Sequence, residues 1–287
     1  MHRRRFLQIM AASMFLPRPA AASEWRGRAF GADVTLSLSG KGAEMAVRKL
    51  PALLAQIEAV FSLYQPSELT ALNSTGCARP STWMAEALAL CDRLHHLTKG
   101  AFDPTVQPLW QALAAGENAA SARNLIGWQH VRLGPEVTLG QGQALTLNGM
   151  AQGFAADLVR NWLATQGFEH ALVQMGEYAA LGGPFQLGIS DPAAGLLGQR
   201  QLAAGRALAA SSPRATLVGR APHILHPKGH TPRWSTVAVE ADSAALADGL
   251  STALVFLDLP EITRLRQHLP QLGPVTLIDV QGDLRVV

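Results

Sequence analysis

Asp248 and Thr252 stand four residues apart in ADGLSTA, within a stretch whose apolar spacing predicts a helix. They therefore share one helix face about a turn apart. A carboxylate and a hydroxyl are hard oxygen donors, suited to magnesium or calcium rather than zinc. A solvated aspartate beside a threonine bonded to its own helix gives the same pattern. A second group lies in LNGMAQGFAAD from Leu147, where Gly149 and Gly153 flank the expected start of another helix. The unpaired N–H groups and partial positive charge of such a start seat a pyrophosphate; a tight packing turn uses glycines in the same places. A third group is GAFDPTV from Gly100. There Phe102 offers a ring for stacking or packing and Asp103 an acceptor in a turn fixed by Pro104, or the segment is a helix-ending glycine followed by a turn.

These groups need elements to carry them. Alternation predicts a strand from about Arg28 to Leu38, and helical spacing predicts a helix over 50–61, started late because Pro51 is tolerated only near a helix start. A second helix is expected over Trp83–Leu97 with Ser81 or Thr82 as its cap and Gly100 past its end. Val131–Leu133 and Val137–Leu139 read as a hairpin across Gly134-Pro135. A third helix follows the LNG turn and stops at Gly167. Strands are expected at Ala171–Met175, Phe185–Ile189, Ala207–Ala210 and Trp234–Val239. A fourth helix over Ala244–Phe256 and a short one after Pro260 precede a last hairpin. Strands and helices mix without βαβ alternation, which predicts an α+β fold with largely antiparallel sheets. The segments 114–122 and 191–205, rich in alanine, glycine and polar residues, are expected to be the least ordered.

The 287 residues are 48% hydrophobic and 16% charged, enough for a sizeable core. The N-terminus pairs Arg3-Arg4 with an apolar run from Phe6 to Leu16 and the small residues Ala20–Ala22. That pattern predicts an export signal of the twin-arginine type over residues 1–22, with an ordinary Sec signal or an uncleaved anchor as the alternatives, leaving 23–287 as one domain expected in the periplasm through the twin-arginine machinery. Replacing Arg3 and Arg4 together by lysine is expected to leave the precursor uncleaved in the cytoplasm on cell fractionation. Normal periplasmic processing of that variant would count against the assignment. The run is too short for a permanent membrane helix. Residues 1–22 hold four arginines and no acids, more than the whole net charge of +3. No basic run remains beyond them for nucleic acid. Cys77 and Cys91 are the only cysteines; an oxidising compartment would permit a bridge between them, while Cys91 falls in an apolar-periodic helix and reads as a buried thiol. There is no Cys/His cluster for zinc or iron–sulfur chemistry, no GxGxxG and no Walker loop.

From about Trp25 onward, the three motifs in this order resemble the ApbE-type FAD:protein FMN transferases. FSLYQPSELTALN from Phe61, GWQHV from Gly127, ALVQMGEYAALG from Ala171 and HILHPKG from His223 add to the likeness. The resemblance implies an ApbE-like, T-fold-like architecture. It implies magnesium-dependent transfer of FMN from FAD, the substrate, onto a threonine of an exported or membrane protein, with AMP released. Asp248 and Thr252 would be metal ligands, with Ser251 beside them and a main-chain oxygen at Gly149. Ala101, Phe102, Asp103, Phe30 and Tyr64 would line the FAD site, the last in a loop with Glu68 where an aromatic faces a flavin or adenine ring or lies at the surface. His223 matches the histidine near the FAD phosphates, where an imidazole stabilises growing negative charge or the AMP leaving group.

Several positions depart from the usual pattern. Gln152 replaces a lysine directed at phosphate, and Thr146 replaces an aspartate two residues before the turn; both are expected at the FAD site. Gly176-Glu177-Tyr178 stands where Gly-Gly-Asp is frequent. His226 occupies an aspartate position and is a second catalytic candidate, as a base for the threonine. LTLNGMAQG and MGEYAALG are similar to the twin-arginine subset serving nitrous-oxide reductase maturation. The acceptor so implied is a membrane flavoprotein of nitrous-oxide respiration. FAD hydrolysis by water in place of threonine, or flavin binding without catalysis, fits the same residues.

Overall fold

The computed structural model describes residues 22–191 and 195–287. The export signal expected over residues 1–22 lies outside them except for Ala22, the first residue of β1. The chain opens with β1 (Ala22–Ala29) and β2 (Ala32–Ser39), antiparallel across a two-residue turn. The single strand expected at 28–38 is thus a hairpin, because Phe30 and Gly31 both take positive φ, the geometry of a turn matched to strand twist. Helix α1 (Ala43–Phe61) follows and starts well before Pro51. Ala43, Ala46, Leu50, Leu54, Ile57 and Phe61 are all buried along one stripe, and that packing outweighs the ~3 kcal/mol cost of an interior proline.

Next come α2 (Glu68–Thr75), β3 (Cys77–Ala78), α3 (Thr82–Leu97), α4 (Gln107–Ala115), α5 (Ala119–Arg123), β4 (Val137–Thr138) and α6 (Ala151–Thr165). Ser81 caps α3 through the Met84 N–H, as expected. The hairpin expected near Gly134 is reduced to one bridge between Arg132 and Thr138, and β4 pairs with β3 instead. Both cysteines are free, Cys91 buried and Cys77 exposed. The second half holds β5 (His170–Gln174), β6 (Tyr178–Leu181), β7 (Phe185–Asp191), β8 (Gly195–Leu202), β9 (Ala207–Ser211), β10 (Leu217–Val218), β11 (Ala221–Pro222) and β12 (Thr236–Ala241). Helices α7 (Ala244–Leu254) and α8 (Leu259–His268) then lead to β13 (Leu272–Ile278) and β14 (Leu284–Val286).

One eight-stranded sheet, in the order β1-β2-β5-β6-β9-β12-β13-β14, carries the fold, and each of its pairings is antiparallel. The two-residue period of a strand sorts its side chains to two faces. Val34, Leu36, Val173, Ala209, Val237 and Val239 pack in the main core with residues of α1, α6 and α7. Tyr178, Ala180, Leu208 and Ala238 face the other way, against Leu187 and Leu202 of the β7–β8 hairpin. That hairpin occupies part of a segment expected to be poorly ordered, and α5 occupies part of the other. Among the described residues no helix is long and apolar enough to cross a membrane.

Candidate active site

The site begins where α6 meets α7. Asp157 of α6 accepts from Ser243 Oγ and from the N–H groups of Ala244 and Ala245, at 2.7–3.0 Å. It thereby caps the start of α7, while Arg160 pairs with it at 2.9 Å. One turn earlier, Gly153 has no side chain because a Cβ would collide with the Ala244 carbonyl. This close approach lets the Gly153 N–H donate to Asp248 Oδ2 at 3.0 Å. Of the two readings of the glycines, Gly153 therefore serves packing, and its N–H is already taken. Gly153→Ala is expected to cost about 1–3 kcal/mol through overpacking, read as a lower denaturant midpoint; an unchanged midpoint would mean that the helices shift freely.

Gly149 serves the cavity side. A Cβ there would lie 3.1–3.4 Å from Thr252 and Phe102, and its carbonyl accepts from Thr252 Oγ1 at 3.3 Å. Asp248, Thr252 and the Gly149 carbonyl so bring three hard oxygens to one wall. Ser251 stands behind them rather than in the cavity: it is fully buried, donates to the Asp248 carbonyl at 2.9 Å and meets Ser211 Oγ at 2.8 Å. Ser211 also approaches Thr252 Oγ1 at 3.4 Å, so it steadies the hydroxyl that faces the cavity.

Asp248 is only 5% exposed, not on an open face. Burial drives its pKa up to about 7, Asp157 adding to the rise while the Gly153 N–H opposes it. Glu177 lines the same cavity and is also pushed well above the usual carboxylate range, by burial and then by the Asp248 charge, although the Ala210 N–H donates to it at 3.0 Å. A hard cation held by the oxygens of Asp248, Thr252 and Gly149 would offset both of these buried carboxyls. The residues fit magnesium. Among the described residues no three of His, Cys, Asp and Glu gather into a cluster that could hold a metal ion.

The cavity is about 500 Å³ and is lined by Phe30, Ala101, Phe102, Asp103, Thr146, Gly149, Gln152, His223, Asp248 and Thr252 among others. Phe30 is held at its positive φ by its N–H donating to Glu58 Oε1 at 2.7 Å. Asp103 lines the wall, but its carboxylate is engaged by the N–H and hydroxyl of Thr105 and the N–H of Trp128, a turn-fixing role. Thr146 Oγ1 accepts from the Asn148 N–H. His223 places Nδ1 2.9 Å from the Pro213 carbonyl and 3.2 Å from that of Thr216. Carbonyls only accept, so Nδ1 carries the proton and a neutral ring has its lone pair on Nε2.

Besides Ser251, two expected residues do not join the cavity wall. Tyr64, 58% exposed, lies outside it, and Asn148 Nδ2 donates to its hydroxyl at 3.3 Å. His226 is buried elsewhere, stacked on His230 at 4.1 Å and edge-on to Phe256 at 4.9 Å, with Nδ1 accepting from the Lys228 N–H. It has no geometric basis as the base expected for threonine. Burial, then His230 and Lys228, lower its pKa to about 4. The unfolded chain therefore binds more protons between about pH 4 and the ordinary 6.5. Stability should fall as pH drops through that window, and His226→Gln should flatten the slope in thermal unfolding; an unchanged slope would rule this out. Trp110, Asn148, Glu177 and Ser211, absent from the expected set, also line the cavity. Asn148 was within reach inside the LNG motif; Trp110 and Ser211 carry no sequence signal.

The sequence pattern of the ApbE family matches residues 30–274, and the chain belongs to that family. A relative from Vibrio cholerae serotype O1, an FAD:protein FMN transferase, is 25% identical over 71% of each chain. The chain is similar to the solved apo flavinyl transferase ApbE of Pseudomonas stutzeri, with 25% identity, a TM-score of 0.80 and coverage of 93% of this chain and 94% of that one. The Thermotoga maritima ApbE protein shares the fold at 22% identity, with a TM-score of 0.81 and coverage of 92% and 96%.

Proposed function

We propose that this chain transfers FMN from FAD to a threonine of an acceptor protein and releases AMP. The observation that carries the reading is one cavity in which His223, the α6 start and the oxygens of Asp248, Thr252 and Gly149 converge. Its volume is that of a small-molecule site, and Phe30 and Phe102 give it ring-sized apolar walls. The threonine oxygen attacks the FMN-side phosphorus. The bond from that phosphorus to the bridging oxygen breaks, and AMP leaves with that oxygen. With His226 outside the cavity, His223 takes the hydroxyl proton on Nε2, its ring oriented by the Pro213 and Thr216 carbonyls. A magnesium ion held by Asp248, Thr252 and the Gly149 carbonyl would neutralise charge on the pyrophosphate.

The test uses purified protein, FAD, magnesium and a co-expressed acceptor, a membrane flavoprotein of nitrous-oxide respiration being the first choice from the sequence resemblance. Covalent flavin fluorescence on the acceptor with matching AMP is expected. AMP and free FMN without labelling of an acceptor that another flavin transferase does label would show that water replaces threonine.

A further inference from the structure

Among the described residues, the cavity wall holds three carboxylates, Asp103, Glu177 and Asp248, one histidine, and no lysine or arginine. Arg214 and Arg220 belong to the neighbouring 212–222 segment but are exposed and not part of the wall. A pyrophosphate therefore enters a wall with no fixed positive charge, and in a partly dry site its own charge is poorly screened.

Gln152 marks the place where the wall meets the α6 start. It is 9% exposed, and its Nε2 is buried with no hydrogen-bond partner among the described residues. Its amide end lies close to Gly176, where a Cβ would come within 3.1 Å of Cδ, Nε2 and Oε1. Leaving a buried donor unmet is costly, so a partner arriving with the ligand fits this N–H. An amide can orient a ligand oxygen, but it brings no charge to offset the phosphates.

We propose that this cavity takes up FAD only together with a divalent cation, so that the cation is required for binding and not merely for turnover, and that Gln152 sets this dependence by donating a neutral N–H to a ligand oxygen. The inference rests on the proposed function. Its test is equilibrium binding of FAD, followed by calorimetry at constant ionic strength, in magnesium and in chelator. For the unaltered protein, chelation should weaken affinity by at least about tenfold. Gln152→Lys, which places a fixed charge at the same point, should bind in chelator markedly better and narrow that ratio. Gln152→Met keeps the size but loses the donor. It should bind more weakly in magnesium than the unaltered protein, with thermal unfolding confirming that each variant is folded. Equal affinity with and without metal, alongside continued AMP release, would overturn this inference and leave the function standing. A Gln152→Lys ratio as large as that of the unaltered protein would also overturn it. Failure to bind FAD under either condition would remove the function and the inference together.

Discussion

Asp248→Asn is expected to lower AMP release from FAD by at least ~100-fold, as loss of a charged group at a phosphoryl-transfer centre does, while the protein stays as stable as before or becomes more so. Both halves come from the same geometry. The asparagine oxygen can still accept from the Gly153 N–H, so the contact between α6 and α7 survives. The charge that would balance a cation does not. Without bound metal, the native carboxylate is a liability: burial raises its pKa to about 7, and Asp157 adds to the rise. A carboxyl with a raised folded-state pKa is more protonated when folded than unfolded, so stability from this group falls as pH rises from about 4 to about 7. The asparagine variant lacks that loss, and its advantage should be full above pH 7 and absent below about pH 4. Asp248→Ala is the poorer test, since it leaves the Gly153 N–H unmatched inside the protein. Full activity of Asp248→Asn at low magnesium would remove Asp248 from the site; a lower melting temperature at pH 8 would show that the carboxylate holds the helices together.

How far the sequence revealed this arrangement depended on whether a residue's role was local. The Asp248/Thr252 pair and the Gly149 turn could be placed because a helix period and a turn motif are written in adjacent residues. Ser81 as the cap of α3 was legible for the same reason. The start of α1 was not: Pro51 is a strong local signal against a helix, and only the buried stripe from Ala43 to Phe61 shows why it is overruled. β6 (Tyr178–Leu181) and β8 (Gly195–Leu202) were also hidden. β6 is buried on both faces, so it lacks the alternation that marks a strand exposed on one side; β8 is rich in glycine and glutamine and gains its order by pairing with β7. Within the site, the roles that escaped the sequence were those set by contacts across the chain. Ser211 steadies Thr252 from a strand 41 residues away, and Asp157 caps α7 from the preceding helix. His226 shows the reverse error. Its position in a motif made it a candidate base, yet the fold turns its ring toward His230 and Phe256.

His223→Ala is expected to reduce turnover by ~10²–10⁴-fold, the range for loss of a general acid or base, with FAD affinity changed only a few-fold. An effect confined to turnover is the pattern of an interaction made in the transition state. The structure also gives this histidine a second job, because its Nδ1–H bonds to the Pro213 and Thr216 carbonyls and ties down the segment that forms part of the cavity wall. Alanine removes both roles at once, so the decisive variant is His223→Asn. Its side-chain amide can supply an N–H to those carbonyls but has no nitrogen able to accept a proton. If proton transfer is the role, asparagine remains as slow as alanine, and added imidazole restores part of the rate to the alanine variant. If the ring only braces the segment, asparagine recovers most of the activity and imidazole does nothing. A rise in KM with an unchanged kcat in both variants would place His223 in FAD binding alone. The threonine proton would then have to leave by another route, and the remaining titratable groups on the cavity wall, Asp103, Glu177 and Asp248, would be the ones to test next.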